Sequence, residues 1–169
     1  KTSEVYQSTL DRCQAHYALD WNGINTLGTV SKLRTLLKKL QPATVQCWMY
    51  HANVLTSLSI IGLAQKPKVV WGIHHSLASP KDESISTKIA LGLSKILSQQ
   101  ASAIIYCAHS SMQQHQAFGF KNANSQVIAN GVFLDKFQPN PQLHEPTVIG
   151  FAGRYHIAKG YPYLFETMG

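Results

Sequence analysis

Residues 148–169 read VIGFAGRYHIAKGYPYLFETMG. An apolar run reaches Gly153, Arg154 follows, and Lys159-Gly160 stands five positions beyond the arginine, where a helical pattern opens. Each residue type suits an anion. A glycine lets the backbone approach a ligand closely. Arginine offers a planar fork to phosphate oxygens. A lysine at the mouth of a helix adds a point charge where the first amides already favour negative charge. The chemistry to expect is phosphate holding, although the same spacing also describes a strand end with solvated basic residues. A second set of residues follows apolar runs elsewhere: Tyr50-His51-Ala52-Asn53, His74-His75-Ser76, Ala108-His109-Ser110 and Asn130-Gly131. A histidine-rich rim fits a hydroxylated or phosphorylated ligand. His74 and His75 are adjacent at a strand end, so they point opposite ways and at most one faces a cleft. His51 also reads as a cap of the helix after it, His109 as a surface residue before a helix, and Asn130-Gly131 as a tight turn. No HExxH or CxxC spacing occurs, so no metal site is expected. No nucleophile elbow or Ser-His-Asp arrangement is present.

Positioning such residues requires strands that end at a common edge. Short β-branched or aromatic runs fall at 44–50 (TVQCWMY), 68–73 (KVVWGI), 103–107 (AIIYC), 126–129 (QVIA) and 147–152 (TVIGFA). Runs of this kind suit a parallel sheet covered on both faces. Helical patterns lie between them. Leu27, Val30, Leu33, Leu36, Leu37 and Leu40 form one stripe, ended by Gln41-Pro42. Residues 52–64 read as a second helix. Ile85, Ile89, Leu93, Ile96 and Leu97 stripe a third, capped by Asp82 or Ser84. Residues 110–118 and 159–168 read as two more. The alternation predicts an α/β fold built of right-handed βαβ units, with helices on both faces of the sheet. Residues 138–146, QPNPQLHEP, break the pattern and read as a linker. The expected organisation is an incomplete domain over 1–137, a linker over 138–146 and the first strand and helix of a second domain over 147–169.

The 169 residues carry a formal charge of +7 and a sequence pI near 9.4. That balance favours anionic partners. Lys32, Arg34, Lys38 and Lys39 share one helix and form either a solvated face or a patch for an anionic membrane. Nucleic acid is not an expected partner, because no aromatic-and-basic binding motif appears. No apolar run of about 18 residues spans a membrane, and the first residues do not form a signal peptide. Cys13, Cys47 and Cys107 are odd in number and widely spaced, so they are expected as free thiols in a reducing compartment.

The stretches VQCWMYHANVL, VVWGIHHS, VIANGVFLDKFQP and IGFAGRYHIAKGY, taken in order, resemble the retaining glycosyltransferases of family 4. The forms WMYHAN and WGIHHS are similar to those of bacterial enzymes that build lipopolysaccharide or exopolysaccharide. The resemblance implies two facing Rossmann-like domains, of which this chain holds most of the acceptor side and the start of the nucleotide-sugar side. It implies a nucleotide-diphosphate sugar as donor, a lipid-linked or saccharide acceptor, and no cofactor or metal. Gly153, Arg154 and Lys159 match the donor-diphosphate site. His74 or His75, with His75 preferred, matches a catalytic residue near the donor sugar and acceptor. His51 and Asn53 fall on the acceptor side. The implied location is cytoplasmic, with peripheral contact at the inner face of the plasma membrane. The glycine-rich loop of the first domain and the paired-glutamate motif of the second are missing, and Ala108 stands where a serine is frequent. The chain is therefore expected to be a middle piece, inactive by itself. Two alternatives stand beside it: a non-catalytic module for anionic lipid or polyanion, and a nucleotide-sugar epimerase-like protein.

Overall fold

In the computed structural model, residues 10–132, 134–136, 151–153, 155 and 159–168 are described. The chain divides into two compact units, Lys1–Asn130 and Gly131–Gly169.

Helix α1 (Thr26–Leu40) stops where proline must stop it. Gln41 takes a left-handed backbone, φ 45°, and its N–H closes on Leu37 O at 2.9 Å, while Pro42 bars the helical conformation before it. Then come β1 (Thr44–Trp48), α2 (Met49–Ser59), β2 (Lys68–Ile73), α3 (Ile85–Leu97), β3 (Ala103–Tyr106), α4 (His109–Phe118) and β4 (Ser125–Val127). The strands form one sheet in the order β1-β2-β3-β4, every pair parallel. This is the expected α/β, Rossmann-like architecture, with the elements displaced by a few residues. The second helix begins three residues earlier than the pattern suggests, at Met49, and ends before the Ile61-Gly62 turn, where Gly62 has φ 69°.

Coverage differs between the two faces of the sheet. Each crossover steps to the next strand in the same direction, so right-handed connections place α2, α3 and α4 on one face. On that face the register aligns Cys47, Trp71 and Ile104, and aligns Ile73 with Tyr106, all buried. They join Leu37, Val54, Leu91 and Leu97 in a single core. The opposite face carries Gln46, Trp48 and Gln126, which are exposed, and Val70, Ala103 and Ile105, which are half-buried. Burial thus alternates along β1 and β3, as in a sheet packed mainly on one side, whereas β2 is buried continuously from Trp71 to Ile73.

Helix α3 departs from the expected stripe. Ser84 does cap it, its Oγ accepting from Thr87 N at 3.3 Å. The buried residues, however, are Ala90, Leu91, Ser94 and Leu97, while Ile85, Ile89 and Ile96 are 77%, 60% and 70% exposed. The helix is apolar on more than one side, so periodicity does not choose the packed side. Small Ala90 and Ser94 allow close approach to α2, and the isoleucines are left outside.

The basic face of α1 is also partly spent. Arg34 donates to Ser59 O at 3.1 Å, to Gly62 O at 3.2 Å and to Ile61 O. It closes the last turn of α2, whose carbonyls lack helical partners. It is therefore a structural cation rather than a membrane contact, whereas Lys32, Lys38 and Lys39 are exposed.

In the second unit, Gly160 (φ 72°) precedes α5 (Tyr161–Met168). Residues 147–150 of the expected fifth strand and the expected linker 138–146 lie outside the described residues, and Phe151 and Ala152 carry no regular structure. Asn130 and Gly131 do not form the expected tight turn. Neither has the left-handed backbone such a turn needs, and both lie in irregular chain after β4, which ends at Val127. Cys13, Cys47 and Cys107 are free. No helix among the described residues is long and apolar enough to cross a membrane.

Replacing Arg34 with alanine removes three charge-assisted hydrogen bonds and is expected to lower stability by about 1–3 kcal/mol. Arg34→Lys should recover only part of that, because an ammonium cannot reproduce the planar fork. Urea-unfolding midpoints of the three proteins check both statements.

Candidate functional site

Parallel pairing brings the carboxyl ends of β1, β2 and β3 to one edge, the edge at which open α/β sheets bind ligands. Trp48 pairs with Gly72, and Ile73 with Tyr106, so the residues that follow are neighbours.

The turn from β1 into α2 is sharp. Met49 has φ 69°, a left-handed conformation that a side chain with a Cβ enters at a cost. The turn brings Met49 Sδ to His74 N, which donates to it over 3.4 Å. Trp48 lies against β2 at Gly72, where a Cβ would stand 3.2 Å from the indole ring. The His74 ring stacks on the same indole at 4.6 Å between centroids. His74 is exposed.

His75 meets a different set of groups. Its Nε2 lies 2.6 Å from Glu83 Oε1 and donates to that carboxylate. Its ring stands edge-on to Tyr50, 6.2 Å away at 87°. Its carbonyl accepts from Ser111 Oγ at 2.6 Å. The two adjacent histidines thus face different surroundings, as alternation at a strand end requires.

Behind His75 runs a buried polar circuit. His115 Nδ1 donates to Ser111 O at 2.7 Å, which leaves Nε2 as the acceptor for Tyr50 Oη at 2.6 Å. Gln114 Oε1 accepts from Ser76 Oγ at 2.9 Å and from Leu77 N at 2.8 Å. Helix α4 therefore grips the segment after β2 through Ser111 and Gln114. Burial pushes the Tyr50 hydroxyl well above its ordinary range, and the Glu83 charge adds to this. Burial likewise raises Tyr106, to about 12. Burial lowers His115, with a smaller opposing effect from Ser111 O and a further lowering from His75. The circuit is thus held neutral, a frame rather than a proton store.

His51 occupies the first turn of α2 but caps nothing. The residue before the helix is Trp48, and no side chain bonds the free amides. The His51 ring lies 5.1 Å from that of Trp21, and its Nε2 is enclosed with no hydrogen-bond partner. It lines a cavity of about 440 Å³ together with Trp21, Thr26, Val54, Ile89 and Leu93. The first turns of α1, α2 and α3 converge there through Thr26, His51 and Ser86. Asn53, by contrast, is fully enclosed, and neither amide atom has a partner. His109 is the exposed first residue of α4.

In the second unit, Tyr161 Oη donates to Gly153 O at 2.6 Å. A Cβ on Gly153 would lie 3.9 Å from Lys159 Cγ, so Lys159 sits beside Gly153 just before α5. Arg154 lies outside the described residues. Among the described residues, no three of His, Cys, Asp and Glu are grouped to hold a metal ion.

Glu83, Ser111, His115 and Trp21 are absent from the sequence-derived candidates, and Tyr50 stood among the residues after the first strand with no role of its own. Nothing in their spacing marks them, since each meets its partner only across the fold. What the first unit assembles is an imidazole braced by a carboxylate, a second histidine on a tryptophan, and an apolar cavity with one unpartnered imidazole nitrogen. Such an edge can hydrogen-bond hydroxyl groups and pack an apolar or ring-shaped surface.

Neutral His115 predicts acid sensitivity. Its folded pKa lies below the ordinary value near 6.5, so below about pH 6.5 the unfolded chain binds a proton that the folded chain refuses. Stability from this group is present above that pH and is lost as pH falls toward the folded pKa. The urea midpoint should therefore drop between about pH 7.5 and pH 5. His115→Gln, which retains an acceptor for Tyr50, should flatten that drop.

A sequence model described as Glycosyltransferase Family 4 matches residues 8–136. No curated protein and no solved structure gives a match.

Proposed function

The chain belongs to glycosyltransferase family 4, and on that premise we propose that it supplies the acceptor side of an enzyme that moves a sugar from a nucleotide-diphosphate donor, with retention, to a lipid-linked or saccharide acceptor of a cell-surface polysaccharide. The observation that carries this proposal is that His51, His74 and His75 all follow the carboxyl ends of two paired parallel strands, inside the matched residues. In the proposed reaction His75 hydrogen-bonds the sugar where donor and acceptor meet. The acceptor lies along the cavity beside His51. Asn53, being enclosed, stands apart from the proposed acceptor contacts. Gly153, Arg154 and Lys159 bind the departing diphosphate, stabilising charge that develops as the glycosidic bond breaks. The placement of Gly153 and Lys159 just before α5 supports that role. The remaining donor contacts come from sequence joined to this chain. No metal or cofactor takes part in the proposal.

The chain joined to its adjoining coding sequence should release nucleoside diphosphate from at least one of UDP-glucose, UDP-galactose and GDP-mannose. Lys159→Ala should reduce that release by about 10²- to 10³-fold, the usual cost of removing one preorganised electrostatic contact. Absence of both binding and turnover with all three sugars refutes the proposal.

A peripheral membrane contact in the cytoplasm is supported by α3 rather than by α1. Ile85, Ile89 and Ile96 project outward, and Lys88 lies one turn from Ile85. An apolar stripe with an adjacent cation suits the surface of an anionic bilayer. In flotation with vesicles of phosphatidylglycerol and phosphatidylethanolamine, the protein should rise with the lipid. Ile85→Ser combined with Ile89→Ser should leave it in the dense fraction, while Arg34→Lys should not.

A further inference from the structure

Glu83 stands in a short loop between two local structures. A short 3₁₀ turn, Pro80–Asp82, precedes it, and Ser84, the cap of α3, follows it. Its own backbone is extended, φ −71° and ψ 153°. Its backbone thus lies between two locally hydrogen-bonded turns. The protein has eight acidic residues against fifteen lysines and arginines. Yet the only ion-pair geometry among the described residues joins Glu83 to a histidine, at 2.6 Å, with the two side chains 22% and 39% exposed. A pair this short and partly shielded holds its geometry better than a surface pair of long, mobile side chains.

The rest of the His75 environment leaves that carboxylate a specific task. Ser111 holds the His75 backbone, and Gln114 holds the next two residues. Tyr50 meets the imidazole only through a perpendicular ring contact, because its hydroxyl is committed to His115. None of these contacts sets the rotation of the ring. Only Glu83 bonds a ring nitrogen, and it takes Nε2. Nδ1 forms no hydrogen bond among the described residues and is the nitrogen left for a ligand.

We propose that Glu83 is the positioning residue for His75: by accepting from Nε2–H it fixes the imidazole rotation and tautomer, and so presents Nδ1 to the substrate. This rests on the proposed role of His75 at the reacting sugar. Glu83 need not touch the substrate.

The test uses the protein with ¹⁵N-labelled histidine at neutral pH and low temperature, with His75 signals assigned by loss in His75→Gln. The wild type should show a downfield Nε2–H proton for His75 and a cross-relaxation contact between the His75 and Tyr50 rings. Glu83→Ala should lose both while the amide spectrum away from residues 74–84 is unchanged. Glu83→Gln, which keeps an accepting oxygen, should restore the ring contact. If the proton and the contact are missing in the wild type, or persist in Glu83→Ala, the inference is wrong. In the enzyme with its adjoining sequence, Glu83→Ala should lower kcat for UDP release from the accepted UDP-sugar by about 10- to 100-fold with KM little changed. An unchanged kcat also overturns the positioning role. If the wild type turns over no nucleotide sugar, the proposed function fails, and the spectra alone decide the tautomer and rotation.

Discussion

The hydrogen bond from Tyr50 Oη to His115 Nε2 joins residues 65 apart in sequence, at 2.6 Å and in the buried interior. Two polar side chains at such a place are costly unless each satisfies the other. Their pairing fixes the distance between the first turn of α2 and the middle of α4. From His115 the chain of contacts continues to Ser111 and then to the backbone of His75. The segment after β2 is thereby tied to α4, and α4 in turn to α2. Tyr106 and Phe120 pack against the His115 ring and shut out water, which keeps the imidazole neutral.

The same economy shapes the charge distribution. With few carboxylates available, the protein satisfies exposed carbonyls with a cation and orients a histidine with an anion. Arg34 closes α2 from the side of α1, and Glu83 braces His75 from the loop before α3. Both are single charged groups acting at the end of a regular element, where backbone geometry gives least support. The surplus positive charge remains on exposed lysines, where water solvates it and an anionic partner can reach it.

Much of the fold was legible in local sequence. The β2 run KVVWGI is observed from Lys68 to Ile73, and the α1 stripe ends at Gln41-Pro42 as proline requires. The strand–helix alternation implied a parallel sheet, and its carboxyl edge then named His51, His74 and His75. Less was legible in α3, where the isoleucine stripe suggested a core face that packing assigned to Ala90, Leu91, Ser94 and Leu97. Burial depends on which neighbour comes close, and a helix apolar on several sides does not encode that choice. Asn53 shows the same limit: the family resemblance set it with His51 on the acceptor side, but about 200° separates two such residues on a helix, and the structure encloses it.

The amino-acid sequence by itself determined the α/β class, the strand ends, the histidines set at those ends and the pairing of Gly153 with Lys159 before a final helix. These follow from local periodicity, backbone preference and residue type. Tertiary structure alone decided which histidine is braced, since Glu83 approaches His75 only when the loop before α3 folds back, and which cation is structural, since Arg34 finds its carbonyls on another helix. It also decided that Tyr50 and His115 would meet. A hydrogen bond acts over about 3 Å, so residues far apart in the chain acquire such roles only through the fold that brings them together.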